Sequence, residues 1–187
     1  MKVSLNTRFC ERLSIMLSII FVGKQWASAQ CDQLYNWAVW DDFLGNSATG
    51  YISSGGQDIY VTMSSNFDFG ASLDIFNYHA FDGFNEPIPN ATVPETTWSY
   101  GSGGTTTMCF SQTVSNPVLL LASIGRAGVP VTLQFDKKYN IAYYGYQVSY
   151  INDTTIIGEE GYTILLFPGD FDCVTALLHE SCLDCAG

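Results

Sequence analysis

Positive charge is scarce in this chain. Its 187 residues hold 7 Lys and Arg against 18 Asp and Glu. Four of those cations precede residue 30. Arg126, Lys137 and Lys138 then face 17 acids, a net charge of −14 on residues 30–187. Nucleic acids and anionic membrane surfaces are recognised through clustered Lys and Arg, so neither is an expected partner. Such acidity suits divalent cations, a mineral face or solubility.

Other absences narrow the chemistry. No apolar run reaches the ~20 residues that span a bilayer core, so no membrane insertion is expected. No G-x-S-x-G occurs, and His79 and His179 are the two histidines, which leaves few imidazole bases for a Ser or Cys nucleophile. Asp41-Asp42 and Glu159-Glu160 are acid pairs, but neighbours in a strand point to opposite faces. Neither is expected to form a glycosidase dyad, and the chain reads as non-enzymatic. No stretch sustains the 3.6-residue apolar stripe of a packed helix.

The N-terminus carries a targeting pattern. Lys2, Arg8 and Arg12 precede the apolar run "LSIMLSIIFVG" at 13–23, and "ASAQ" places Ala27 and Ala29 where a signal peptidase reads small residues. The expectation is a signal peptide at 1–29 and one domain at 30–187, secreted and extracellular. Residues 30–187 suffice for a sizeable core.

Export makes disulfides the default for Cys31, Cys109, Cys173, Cys182 and Cys185. Five is an odd number, so one thiol is expected to stay free or to join a partner chain. Cys182-Leu-Asp-Cys185 is a C-x-x-C, yet zinc would need two more ligands and a thioredoxin-like site a βαβ context. A bond from Cys31 to Cys182 or Cys185 would tie the chain ends together. Cys109 and Cys173 each sit in a strand-like run and could bridge neighbouring strands.

Short β-patterned runs recur between clusters of Gly, Pro, Asn, Asp and Ser. They fall at 34–41, 58–63, 72–78, 105–112, 118–123, 131–135, 142–150, 162–167 and 171–178. The last, "VTALLHE", could be helical on propensity but follows "FPGD" closely enough to favour a strand. Residues 79–98, with three prolines, read as a long loop. In "NIAYYGYQVSY" the alternation places Ala142, Tyr144, Tyr146, Val148 and Tyr150 on one face of a single strand. In "FSQTVSNPVLLLASIG", Pro117 lacks an N–H for a ladder and belongs at a strand start. Ser115-Asn116 is therefore the crossing between two strands. "VLLLA" is continuously apolar, so both faces of that strand are expected to be covered. The fold expected is all-β: a two-sheet antiparallel β-sandwich, jelly-roll-like and disulfide-stapled.

Two segments carry a resemblance. "FSQTVSNPVLLLASIG" is similar to the F-S-x-P-V-x-N-P-apolar-G segment of β-sandwich domains in secreted bacterial surface proteins, with Thr113 where that family has Pro. "GEEGYTILLFPGDFDCVTA" resembles the closing hairpin of the same domains. The likeness extends over about 37–175 and implies a non-catalytic adhesion module with no catalytic residues to carry over. The short, acidic, Cys-ending chain also resembles, by composition, the small extracellular-matrix proteins of mineral-forming invertebrates.

Candidate binding groups follow. Calcium takes loop carboxylates and carbonyls, and the candidates are Asp41 and Asp42 in "WDDFLGN", Asp68 in "NFDFG", and Asp170 and Asp172 in "PGDFD". The first and last of these loops are expected to converge. Trp37, Trp40 and Trp98, with Tyr143, could form a sugar-stacking platform, with core packing as their ordinary role. Asn90 and Asn152 head glycosylation sequons. The function expected is a secreted structural or adhesive extracellular-matrix or cell-surface domain, with calcium as its one candidate cofactor and matrix components or glycans as partners. The alternative is a lectin-like module using exposed aromatics.

Overall fold

A computed structural model describes residues 2–6, 35–71, 81, 84, 97–99 and 103–180. Its strands, in chain order, are β1 (Lys2–Asn6), β2 (Tyr35–Trp37), β3 (Val39–Leu44), β4 (Ser47–Ser54), β5 (Gln57–Ser65), β6 (Phe69–Ala71), β7 (Thr97–Ser99), β8 (Gly104–Ser115), β9 (Pro117–Ile124), β10 (Val131–Phe135), β11 (Asn140–Tyr143), β12 (Val148–Asn152), β13 (Thr155–Gly158), β14 (Gly161–Leu166) and β15 (Asp170–Glu180). Two antiparallel sheets pack together. One has five strands in the order β11-β14-β9-β1-β2. The other has eight, in the order β12-β13-β10-β15-β8-β5-β4-β3. A separate ribbon pairs β6 with β7. "VTALLHE" is strand throughout, within β15.

Ser115 and Asn116 carry the chain from one sheet to the other, with Pro117 opening β9. Asn116 adopts a left-handed φ of 51°, a conformation Asn tolerates because its short side chain bonds locally. The Asn116 N–H donates to the Gly169 carbonyl at 2.7 Å, and the Gly169 N–H donates to Asn116 Oδ1 at 2.9 Å. This reciprocal pair joins the β8–β9 crossing to the turn before β15.

The sandwich interior draws on both sheets. Trp40, Ile52, Val61, Met63, Met108 and Ile156 from the larger sheet meet Leu119, Leu121 and Leu165 from the smaller. The smaller sheet is covered on its other face too, where Val118, Leu120 and Ile164 pack with Trp37 and Phe81. The continuous "VLLLA" run therefore has both faces buried, as its composition implies. The larger sheet is dry on one face only. β5 alternates buried and exposed residues along most of its length, the signature of a half-solvated strand.

Two expected strands are each split between sheets. The run 34–41 turns at Ala38, with β2 in the five-stranded sheet and β3 in the eight-stranded one. The run 142–150 likewise divides into β11 and β12, joined by residues 144–147, so the single shared face expected there does not exist. Strands β1, β4, β6, β7 and β13 join the list. The expected strand 72–78 lies outside the described residues, as does most of the expected loop 79–98, whose last two residues belong to β7.

The Cys109–Cys173 disulfide is present. It links directly paired residues of β8 and β15, neighbouring strands as expected. Cys31, Cys182 and Cys185 lie outside the described residues. So does 7–29 of the expected leader, while Lys2–Asn6 forms β1. That strand sits between β9 and β2, with Lys2 opposite Leu120 and Leu5 opposite Pro117. Removal of residues 1–29 would take β1 out of the sheet, opening one edge of β9, which stays paired with β14, and taking from β2 its neighbour in the sheet.

Candidate functional site

The acids do not converge. Asp41 and Asp42 lie on β3, at one edge of the larger sheet, while Asp170 and Asp172 lie on β15, with β8, β5 and β4 between them. At ~4.8 Å per strand the two groups stand roughly 19 Å apart. The expectation of one calcium loop from "WDDFLGN" and "PGDFD" is therefore corrected: strand order, which charge does not encode, separates them. Asp68 lies beside Gly45 of the β3–β4 turn. Among the described residues no three His, Cys, Asp or Glu side chains are grouped to hold a metal ion.

The expectation that Asp41 and Asp42 face opposite ways also changes. The β3–β4 register shifts between Trp40 and Asp42, which makes Asp41 the extra residue of a bulge. Both carboxylates are exposed.

Several acids are answered by hydroxyls rather than cations. Ser53 Oγ donates to Asp58 at 2.5 Å, Thr113 Oγ1 to Asp172 at 2.6 Å, and Ser115 Oγ to Asp170 at 2.5 Å. Lys137 pairs with Asp136 at 3.0 Å and Lys138 with Asp153 at 2.6 Å. The hydrogen bond to Asp153 holds the Lys138 ammonium above its usual range.

Trp37 and Trp40 do not form a platform. Their exposures are 8% and 1%, so both are core residues and offer no ring face to a ligand. Trp98 sits on β7. Tyr143 is half-buried at the end of β11, between Phe81 (5.9 Å) and Phe84 (6.3 Å). Asn152 is exposed at the β12–β13 turn, where its Oδ1 accepts from the Thr154 N–H and Oγ1, both at 2.9 Å. Asn90 and His79 lie outside the described residues, and His179 is exposed on β15.

Two exposed aromatic rings lie close in sequence elsewhere, in the segment 144–147 that crosses between sheets. Tyr144 is 72% exposed and Tyr146 62%. Each leans on a less exposed tyrosine. Tyr144 meets Tyr150 edge-on at 5.3 Å, and Tyr146 lies tilted over Tyr162 at 6.3 Å. Tyr162 in turn contacts Phe81 at 5.2 Å. Tyr146 thus extends the outer cluster of the smaller sheet toward solvent, while Tyr144 rests on Tyr150, which packs against the sandwich interior.

The segment is braced by hydrogen bonds. The Tyr162 N–H donates to the Tyr146 carbonyl and the Glu159 N–H to the Gln147 carbonyl, both at 3.1 Å. Beneath them Thr163, fully buried, donates its hydroxyl to the Tyr143 carbonyl at 2.8 Å. That uses its single hydrogen, so the 2.8 Å contact between Tyr150 OH and Thr163 Oγ1 must have Tyr150 as donor. The Gly145 N–H then donates to the Tyr150 oxygen at 3.4 Å. One chain of hydrogen bonds links the loop, β12, β14 and β11. Gly145 is obligatory, since a Cβ there would run into the Tyr162 carbonyl oxygen. Gln147 closes the loop in the left-handed region, with φ at 50°.

The sequence carries a signal for this site that period-2 alternation disguises. Tyr144 and Tyr146 look like alternate residues of one strand, and only the glycine between them marks the crossing. Compared with known protein families, curated proteins and solved structures, the chain matches none.

Proposed function

We propose that this protein is an exported, non-enzymatic adhesive module of the extracellular matrix or cell surface, with the 144–147 loop as its contact surface. The observation that carries the proposal is the braced display of Tyr144 and Tyr146. Tyrosine is enriched among the residues that dominate recognition surfaces, its ring offering an apolar face and a polar tip. A braced loop loses little conformational freedom on binding. The targeting pattern at 1–29, the cross-strand disulfide and the resemblance to surface-protein sandwiches support the same setting. The acidity supports a cation- or mineral-facing role only as diffuse charge, because the carboxylates lie on separate strands.

The test is export and retention. The full chain, tagged at its C-terminus and expressed in a secreting host, is expected to leave the cell. It should then be held saturably by extracellular matrix or cell walls without altering them chemically. Protein that stays inside the cell, or passes into the medium with no retention, would sink the proposal.

A further inference from the structure

We infer that the tyrosine loop binds neutral glycans, by stacking pyranose rings on Tyr144 and Tyr146. The inference rests on the adhesive reading and names its ligand class. Three observations select that class. First, the two rings are phenols, each with an apolar face for the C–H side of a sugar and a hydroxyl at its tip. Second, hydrogen-bonding groups for sugar hydroxyls flank them. Gln147 is exposed in the loop itself, and Glu160 is exposed in the turn that the Glu159 N–H pins to the Gln147 carbonyl. Glu159 is committed elsewhere, its Oε1 accepting from the Gly128 N–H at 2.7 Å. Third, charge excludes the anionic sugars. Arg126, Lys137 and Lys138 are the three strong cations beyond residue 30, and the two lysines each pair with an aspartate. Sulfated or uronic polymers would meet Glu159 and Glu160 with no clustered cation to answer them.

A pyranose has the dimensions of one aromatic ring, and the two tyrosines, resting on Tyr150 and Tyr162 respectively, offer two separate stacking sites along one loop, which suits a chain of sugars better than a single terminal residue. The ligand expected is therefore a linear neutral polysaccharide, with affinity rising from mono- to oligosaccharide. The buried triad of Thr163, Tyr150 and the Tyr143 carbonyl acts as a positioning device that holds the rings without touching sugar.

The test is affinity electrophoresis of the intact secreted protein in gels containing a soluble β-glucan, a xylan or a galactomannan, with heparin and alginate as anionic comparators. At least one neutral polymer should retard the protein and neither anionic one should. Tyr144→Ala and Tyr146→Ala should each weaken binding about tenfold. Tyr60→Ala should leave it unchanged, since Tyr60 is as exposed (63%) but lies on the outer face of the larger sheet. Circular dichroism of each variant checks that the fold is intact. Retardation by no neutral polymer, or equal loss with Tyr60→Ala, would overturn the inference. Matrix retention that requires Tyr144 and Tyr146 but survives enzymatic glycan removal would assign the loop to a protein partner. In that case the adhesive reading stands and the glycan inference falls. Retardation without retention on matrix would leave the glycan site standing and remove the adhesive role.

Discussion

Strands β5 and β9 show how differently the two sheets are held. In β9, Val118, Leu119, Leu120 and Leu121 are all buried, with odd residues facing the sandwich interior and even ones the outer cluster. In β5, Ile59, Val61 and Met63 are buried while Tyr60, Thr62 and Ser64 face water. The smaller sheet is therefore stabilised by apolar burial on two sides. The larger one is dry on one side and relies on cross-strand pairs and a disulfide on the other. The tyrosine loop leaves the two-sided sheet, and its braces at Tyr143, Tyr162 and Thr163 are anchored there, with Tyr150 of the larger sheet completing them, which explains how a solvent-facing aromatic segment can be held in place.

Core truncation should separate the sheets most sharply. Leu119→Ala removes a fully buried side chain between two packed layers and is expected to cost about 3–5 kcal/mol. Leu120→Ala, in the smaller outer cluster, should cost less but still about 2 kcal/mol. Thr62→Ala, on the wet face, should stay within about 0.5 kcal/mol. Urea unfolding of the three variants checks the order, and a costly Thr62→Ala would break the comparison.

The disulfide should matter on a similar scale. Cys109 and Cys173 are 64 residues apart, and closing a loop of that length removes about 4 kcal/mol of unfolded-state freedom. Replacing both by Ser should lower the unfolding midpoint accordingly. A midpoint that does not move would show that strand pairing alone holds the larger sheet.

A smaller effect is expected at alkaline pH. The Tyr139 hydroxyl lies 2.7 and 3.0 Å from the Asn152 and Thr155 carbonyls, its one proton shared between them, and the ring packs edge-on against Phe135 and Phe167. Burial, and then Tyr150 and Asp153, push its pKa up to about 12. The folded state thus keeps a proton that the unfolded chain loses near pH 10. Its contribution to stability is present below pH 10 and lost as pH rises from 10 towards 12. Tyr139→Phe should cost about 1 kcal/mol at neutral pH and flatten that alkaline decline. An equally steep decline in the variant would assign it to other groups.

The smallest difference is expected between salts. The carboxylates are dispersed and hydroxyl-capped, so calcium and sodium at matched ionic strength should raise the melting temperature about equally by screening. A clear excess for calcium, abolished by Asp41→Asn with Asp42→Asn, would restore a specific site.

The contrast between the sheets also decides what was legible beforehand. "VLLLA" announced a two-sided strand because no polar residue interrupts it. Cys109 and Cys173 announced a bridge because both sit in strand-like runs. "SATGYISS" does not look like a strand, since Ser, Thr and Gly are turn residues, yet Thr49 and Ser53 are ordinary outward positions on a wet face. The crossings at Ala38 and Gly145 were hidden because period-2 alternation continues through them while the chain changes sheets. Trp37 and Trp40 take their ordinary core role rather than the platform, because a large ring suits either and alternation does not say which face is dry.

The central claim is that the tyrosine loop is held as firmly as the sheet it leaves. Native-state amide hydrogen exchange measures this directly at Tyr162 and Glu159, whose N–H groups donate into the loop. Protection at these two amides close to that of neighbouring β14 amides such as Leu165 is the result predicted. Exchange at the rate of an unstructured loop, with β14 still protected, would contradict it.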